Sequence, residues 1–470
     1  MSSASPQAAL PSGVTRPIPG ELLRLAIPVL ASQVLRIAYQ WIDAVWVRGL
    51  GVEATAAVTT SIFVMWAIYS LNDIVMVGVT AYVSQLLGAG ERRRAGVAAY
   101  KGVMGSALLG LVGTVAGVLF APQIYSLMDA DPRAIAIGAP FLRICMIGAP
   151  LPMMAMTCEG IMRSAGNTRT PLLIDLISVG ACAVLDPFLI YGIGPFPKLG
   201  VTGAGIATVT AQGLIVVGYA IMAARRHPQF PFARSADGPP VHVRGMARVG
   251  VPAALIGILF SVVYVAFAHA ASRFGPAAHA IVGIANRIEA IQFINSIAIG
   301  SAGAALVGQN LGAGRPDRAV LVIRTGLLWM FAITTVMTVV IMGFPQVFLG
   351  LFSNDPVVLR LGVPYLRILA TCLYFTGIEI VVAECVMGSG HTQAISWIFT
   401  SFSVLRIPLA FLMPQWTGLG VLAIAWVISL TCIVRSLFIA GWAARGTWKR
   451  GLTRELRGPD NRLPEGGAGS

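Results

Sequence analysis

Apolar residues fill this chain in long blocks. Runs over 102–122, 176–191, 326–344 and 421–444 are almost free of charge. With their flanks they reach the roughly 20 residues that a helix needs to cross the hydrocarbon of a bilayer. Short stretches rich in Gly, Pro and Arg separate the blocks. Reading each block as one span predicts about twelve helices, over 22–48, 55–87, 96–120, 134–161, 171–193, 200–224, 248–273, 279–311, 319–343, 358–387, 394–413 and 419–444. The expectation is an all-α membrane protein.

One phrase occurs twice. VSQLLGAGERRRA begins at Val83, and VGQNLGAGRPDRA begins at Val307, 224 residues later. The same shift pairs Arg24-Leu-Ala-Ile-Pro28 with Arg248-Val-Gly-Val-Pro252, Gly51 with Gly275, Asp131-Pro132 with Asp355-Pro356, and Phe141-Leu-Arg143 with Tyr365-Leu-Arg367. After a slip of one residue Glu159 meets Glu384, and the 224-residue register then returns, pairing Gly166-Asn-Thr168 with Gly390-His-Thr392. A register held over more than a hundred residues is a duplication. Six spans per half make the repeats parallel, related by an axis along the membrane normal. This divides the chain into a mobile tail (1–20), a six-helix lobe (21–224), a cytoplasmic linker (225–247), a second six-helix lobe (248–444) and a cytoplasmic tail (445–470). Two lobes facing each other enclose a central cavity, and transporters of this build rock their lobes around it.

Composition agrees. Of 470 residues, 56% are hydrophobic and 11% charged, and the mean hydropathy is +0.80; soluble domains carry about a quarter charged residues. The net charge of +14 does not point to nucleic acid, because the basic residues crowd into alternate connections. Arg92–Arg94, Arg163, Arg169, Arg225–Arg248, Arg315, Arg318 and the tail from Arg445 carry them. The intervening turns are poor in base, and two carry acids instead, Asp129 and Asp131 in one and Asp355 in another. The positive-inside rule then places both termini in the cytoplasm, in a cell (inner) membrane. Residues 1–20 lack the apolar core and cleavage site of a signal peptide. The six cysteines lie in apolar segments without CxxC spacing and read as small buried hydrophobes.

Charges inside the hydrocarbon cost roughly 2.5–3.5 kcal/mol each on insertion scales, so those present have a task or a partner. By the 224-residue shift Asp43 in YQWIDAVW and Asp73 in SLNDIVM align with Phe267 and Ile297, and Asp186 in VLDPFLIYG, aligned through Pro187 and Pro408, matches Ile407. Packing shared by the scaffold would be duplicated; these acids are not. Each has a bland alternative. Asp43 could pair with Arg36 or Arg48, and Asp73 could be satisfied by Asn72. Glu159 and Glu384 are duplicated and read as structural. Arg143 and Arg367 read as packing, and His269 and His279 as satisfied core residues. Glu289 and Glu379 stay open. Met153, Met154 and Met156 with Trp41 and Trp46 suit either an adaptable apolar pocket or plain packing and interfacial anchoring. Burial disfavours the charged form of a carboxylate. A buried acid can therefore exchange a proton for a bound cation. Pro28 lies on the same predicted helix as Asp43, and a proline inside a helix is a weak point. Protonation could bend that helix, shrink the cleft and expel a cation.

These residues resemble the multidrug and toxic compound extrusion (MATE) family, and within it the DNA-damage-inducible-F type branch, over roughly residues 20–445. The phrases Asp43-Ala-Val-Trp-Val-Arg-Gly-Leu-Gly51, Leu185-Asp-Pro-Phe-Leu-Ile-Tyr-Gly192, the two LGAG turns and Val307-Gly-Gln-Asn310 carry the likeness. The resemblance implies two six-helix lobes and export of amphipathic, often cationic compounds, driven by inward proton or sodium flow. It implies a coupling site at Asp43 and Asp186, with Thr208 at a family hydrogen-bonding position and Pro28 at the bend of the first span; Asp73 joins the coupling candidates as a third intramembrane acid of the first half. Candidates for the substrate cavity are Tyr39, Gln40, Phe141, Met153, Cys182, Gln212, Asn286 and Gln292. The chain departs from the pattern in places. Cys182 stands where relatives often have Asn, Phe141 where they often have Tyr, and Val249–Ser272 holds no acid. Fewer oxygen partners favour a proton over sodium, which would otherwise bind at Asp43 and Asp186.

The leading expectation is a monomeric exporter that exchanges organic cations for protons within the lipid bilayer, with no cofactor beyond the ion gradient and no resident metal. The first alternative is a flippase for lipid-linked oligosaccharide or peptidoglycan precursors, for which Arg36, Arg287 and Arg406 could bind pyrophosphate. The second is a scaffold or receptor that transports nothing, which would leave the intramembrane acids unexplained. No GxxxxGK[ST], HExxH or nucleophile elbow is present, so an enzyme or an ATP-driven pump is not expected.

Overall fold

The computed structural model describes residues 10–127 and 132–452. In lipid every backbone polar group must be satisfied within the chain, so long apolar blocks become helices. Sixteen α-helices are present among the described residues. In the first half these are α1 (Ser12–Thr15), α2 (Ile18–Arg48), α3 (Val52–Ser70), α4 (Asp73–Gly88), α5 (Arg92–Leu127), α6 (Pro132–Ile147), α7 (Pro150–Ser164), α8 (Arg169–Tyr191) and α9 (Val201–Ala224). In the second half they are α10 (Val243–Ser272), α11 (Pro276–Gly312), α12 (Pro316–Gly343), α13 (Pro345–Gly350), α14 (Pro356–Gly388), α15 (Thr392–Thr417) and α16 (Leu422–Ala444). Ten of them are long and apolar enough to cross a membrane, and two bent pairs bring the number of spans to as many as twelve.

The bent pairs are confined to the first half. α3 and α4 meet at 44°, and α6 and α7 at 48°. Their counterparts α11 and α14 run unbroken. The reason is local. Pro150 and Pro152 remove backbone donors at the start of α7, where the second half has Tyr374 and Thr376. At the other break, the Asn72 amide donates to Met153 O at 3.1 Å and Thr157 Oγ1 at 3.2 Å. The two breaks therefore stitch to each other.

The halves exchange their leading helix turns. Ile18, Leu22, Leu25 and Ala26 of α2 are buried in a second-half cluster with Ile299, Leu306, Val322 and Val381. Met246 and Val249 of α10 are buried in a first-half cluster with Val79, Leu86, Ala98 and Tyr219. Leu22 and Leu25 stand 224 residues before Met246 and Val249, so the exchange obeys the repeat. α2 crosses from one half to the other near Pro28 and stays helical through it.

The expected tail over 1–20 needs correction. Residues 1–9 lie outside the described residues, but α1 and the start of α2 are packed, with Val14 and Ile18 buried. Polar ties that the hydropathy pattern does not register hold this segment: Asn310 and Arg315 donate to Gly13 O and Val14 O at 3.1 and 3.0 Å. The linker packs too, through Phe230 and Val241. At the other terminus Trp448 and Leu452 are buried. Asp129 and Asp131 lie outside the described residues.

Candidate functional site

α2, α8 and α9 build one polar cluster in the first half. Residues four apart share a helix face. α2 therefore presents Tyr39 and Asp43 together, and α8 presents Cys182 and Asp186 together. Ala207 and Ala211 of α9 pack against Cys182, beside Tyr39 and Leu185. Tyr39 Oη lies 2.8 Å from Thr208 Oγ1. Cys182 Sγ is 3.5 Å from Tyr39 Oη and 3.8 Å from Asp186 Oδ1. Asp186 is fully buried, and the Tyr39–Cys182 contact brings together the helix faces of α2 and α8 that carry Asp43 and Asp186 one turn further on. Asp43 Oδ1 and Asp186 Oδ2 are both buried and have no hydrogen-bond partner. Buried acceptors normally find one. The cluster is thus a pair of acids with open acceptor positions, enclosed by a phenol, a thiol and a threonine hydroxyl.

Arg36 does not neutralise Asp43. Two helical turns earlier on α2, it contacts Glu159 of α7 closely and Asp175 of α8 at 3.5 Å. Arg163 adds a second contact to Glu159 at 3.4 Å. Asp175 was not singled out from the sequence. It is an acid within an apolar run, as Asp186 is, so the signal was there; its arginine partner lies 139 positions away and leaves no mark in the local pattern.

Asp73 belongs elsewhere. It opens α4 at the bend, with Oδ2 3.5 Å from where a Cβ on Gly257 of α10, in the second half, would stand. It faces the seam between the halves rather than Asp43 and Asp186. Asn72 does not satisfy it, because that amide is spent on Met153 and Thr157.

Several cavity candidates are placed differently from expectation. Phe141 is buried in the first-half core with Tyr125 and Met146, and Met153 is fully buried as well. Gln292 is enclosed in the second half, donating to Thr334 Oγ1 at 2.8 Å and Leu373 O at 3.1 Å. These three form the interior of their halves and present no surface to a solute. Cys182 is buried within the acid cluster, Tyr39 and Gln212 are half-buried, and Gln40 and Asn286 are exposed. Trp46 packs edge-on against Tyr191, while Trp41 is exposed.

The second half holds paired charge. Arg435 Nε donates to Glu379 Oε2 at 2.8 Å, with a second close contact to Oε1. Glu289 accepts from Tyr264 Oη at 3.2 Å. Arg406 donates to Thr431 Oγ1 at 2.7 Å and Cys432 Sγ at 2.9 Å, and Arg287 lies over the Phe352 ring at 5.1 Å. All six cysteines are buried and free. No group of three or more metal-binding side chains occurs among the described residues.

Comparison with known proteins decides the family. The MatE family model matches residues 28–188 and again residues 252–412, more than half of the chain. The chain belongs to the MATE family of membrane transporters. The two matches are offset by the same 224 residues as the internal repeat, so each half is one copy of the family unit. MATE proteins are transporters and not enzymes. Among curated relatives, an "FAD transporter" of Shewanella oneidensis is 28% identical over 403 residues, covering 85% of this chain and 89% of its own. A "Probable multidrug resistance protein NorM" of Thermotoga maritima is 25% identical over 453 residues, covering 95% and 97%. A crystal structure of a MATE protein in its bent conformation superposes with a TM-score of 0.86 at 22% identity, covering 94% of this chain and 99% of that one, which shows the shared fold.

Proposed function

We propose that this MATE protein is a secondary active multidrug exporter that exchanges amphipathic organic cations for protons by alternating access. The observation that carries the reading is the pair of open acceptor positions on Asp43 and Asp186, set against Arg36, which is engaged by Glu159 and Asp175. Two carboxylates on neighbouring helix faces repel when both are charged, and a proton or a cationic solute relieves that repulsion equally well. The two ligands therefore compete, as antiport requires. Once one acid is protonated, the cluster around Tyr39 and Cys182 loses its need for a counter-ion, and α2 can repack about Pro28. Sodium suits the cluster less. Tyr39 and Thr208 bond each other, and the third neighbour is a thiol, whereas hard cations seek oxygen.

The flippase reading needs cationic groups that converge on a pyrophosphate. Arg36 is committed to Glu159 and Asp175, Arg406 to Thr431 and Cys432, and Arg287 to Phe352. The same argument disfavours a dianionic flavin nucleotide as the cargo. The positive-inside rule supports placing the arginine-rich end with both LGAG turns in the cytoplasm.

The test uses proteoliposomes containing a fluorescent organic cation, under a pH gradient and a sodium gradient in turn. Movement driven by the pH gradient and lost in Asp43→Asn and Asp186→Asn is expected. Movement driven by sodium alone would overturn the choice of ion, and equal transport by both variants would remove the coupling role of the two acids. Transport of FAD in place of the cation would overturn the substrate class.

A further inference from the structure

The repeated phrase contains a glutamine in each copy, Gln85 and Gln309, and neither touches the acid cluster. Both are fully buried. Gln309 of α11 donates its amide to Ser164 O, the last residue of α7 in the opposite half, at 2.7 Å. Gln85 of α4 donates to Gly388 O, the last residue of α14 in the opposite half, at 3.1 Å. The final carbonyls of a helix have no partner within it. Each copy of the phrase thus caps a helix end of the other half, and the two bonds are related by the pseudo-twofold of the repeat.

The glycines of the phrase allow this reach. α4 and α11 cross with their backbones in contact. A Cβ on Gly88 would stand 2.0 Å from Gln309 O, one on Gly312 would stand 1.9 Å from Gln85 O, and one on Gly308 would stand 1.9 Å from Ser84 Oγ. Any side chain there would hold the helices apart and put the carbonyls beyond the amides. The first and last described segments then close over the crossing. Leu452 N donates to Gln85 Oε1 at 2.7 Å. At Gln309, Asn310 and Arg315 hold the α1 segment, and Arg318 donates to Arg16 O at 2.6 Å. From the first half, Arg24 donates to Ser12 Oγ and Gly166 O at 3.0 and 3.1 Å. Beneath the crossing lies a cavity of about 60 Å³ walled by both halves, including Thr80, Arg163, Ser301 and Glu384.

We propose that Gln85 and Gln309 are positioning residues for transport: together they latch the cytoplasmic end shut, and both must release the opposite half's helix carbonyl before the protein can face the cytoplasm. The side assignment rests on the orientation given above; the latch itself does not. Glutamine chemistry suits a reversible closure. Parting the halves admits water to the freed amides and carbonyls, so each bond contributes only a modest net amount to the closed state. The apolar contacts of Leu22 and Leu25 on the second half must loosen in the same motion, which ties the latch to α2 and hence to Asp43.

The experiment follows the opening and needs no substrate. Ser301→Cys places a thiol in the seam cavity. A membrane-impermeant maleimide is applied to inside-out and right-side-out vesicles, and labelling of each cysteine is read by mass spectrometry. The labelling rate scales with the open fraction even where that fraction is small. Gln85→Met and Gln309→Met keep the side-chain length and remove the amide. Each is expected to raise labelling of the new thiol in inside-out vesicles by between about twofold and tenfold, with Cys145 in the first-half core unchanged. If either variant fails to fold, Arg315→Ala with Arg318→Ala releases the α1 segment from outside and is expected to raise the rate in the same direction. Unchanged rates across these variants would overturn the latch, as would an equal rise at Cys145, which signals general loosening. A rise confined to right-side-out vesicles would support the latch and overturn the orientation. Absence of cation transport would overturn the proposed function alone.

Discussion

Removing Arg435 should cost more than removing Arg435 and Glu379 together. The pair lies inside the second half, joined through Arg435 Nε and Glu379 Oε2 at 2.8 Å and a second close contact. The guanidinium also lies 4.3 Å from the centre of the Phe399 ring. Arg435→Met strands a carboxylate that is 2% exposed. Breaking a buried pair from one side costs about 3–5 kcal/mol, and leaving a charge in a lipid-embedded interior costs roughly 2.5–3.5 kcal/mol on insertion scales. The two figures describe largely the same loss and are not additive. They place the single variant at about 3–5 kcal/mol, and uptake of a proton by Glu379 sets the lower end. Replacing both residues, Glu379→Leu with Arg435→Met, fills the space with apolar atoms and should come within about 1 kcal/mol of the parent. Reversible unfolding by SDS titration in mixed micelles measures all three variants as a double-mutant cycle. A single Arg435 variant that loses less than about 1 kcal/mol, or a double variant as unstable as the worse single one, would refute the view that this pair is structural. Transport by the double variant should remain coupled to the pH gradient, because the acids proposed to carry coupling, Asp43 and Asp186, are in the other half.

Other expectations follow from single contacts. Asp355 caps α14 by accepting from Val357 N at 2.8 Å, so Asp355→Ala should cost about 1 kcal/mol in the same unfolding assay and leave transport intact. Gly312→Ala should disfavour the closed crossing by about 1–3 kcal/mol, since its Cβ would stand 1.9 Å from Gln85 O; labelling at Ser301→Cys should rise, and a rate equal to the parent would contradict that. Tyr39→Phe loses the 2.8 Å bond to Thr208 and should cost about 0.5–1.5 kcal/mol. Coupling should survive that change, whereas complete loss of pH-driven transport would give Tyr39 a direct part in proton transfer.

How far the site could be read in advance varies residue by residue. Asp43 and Asp186 stand out because an acid in an apolar block is conspicuous, and each carries a buried oxygen with no hydrogen-bond partner. Asp73 stood out for the same reason yet faces the seam, since the bend at Leu71–Asn72 turns α4 away. Phe141, Met153 and Gln292 share helices with plausible lining positions, but a helix in a bundle offers its faces to different neighbours, and these three face inward. The local sequence leaves Arg36 equally suited to pair with Asp43 or to bind an anion. Its commitment to Glu159 and Asp175 depends on contacts between residues more than a hundred positions apart.

The amino-acid order alone determined the spans, the duplication and the polar exceptions. Lipid compels each apolar block to satisfy its own backbone, so hydropathy translates directly into helices. Two matters were left to the folded molecule: which charges neutralise one another, and where the halves touch. The α4–α11 crossing, the exchanged turns of α2 and α10, and the packed α1 segment all arise from surfaces that exist only once separate helices have met. Pairing across a bundle depends on helix rotation and depth, and neither is written in any local stretch of residues.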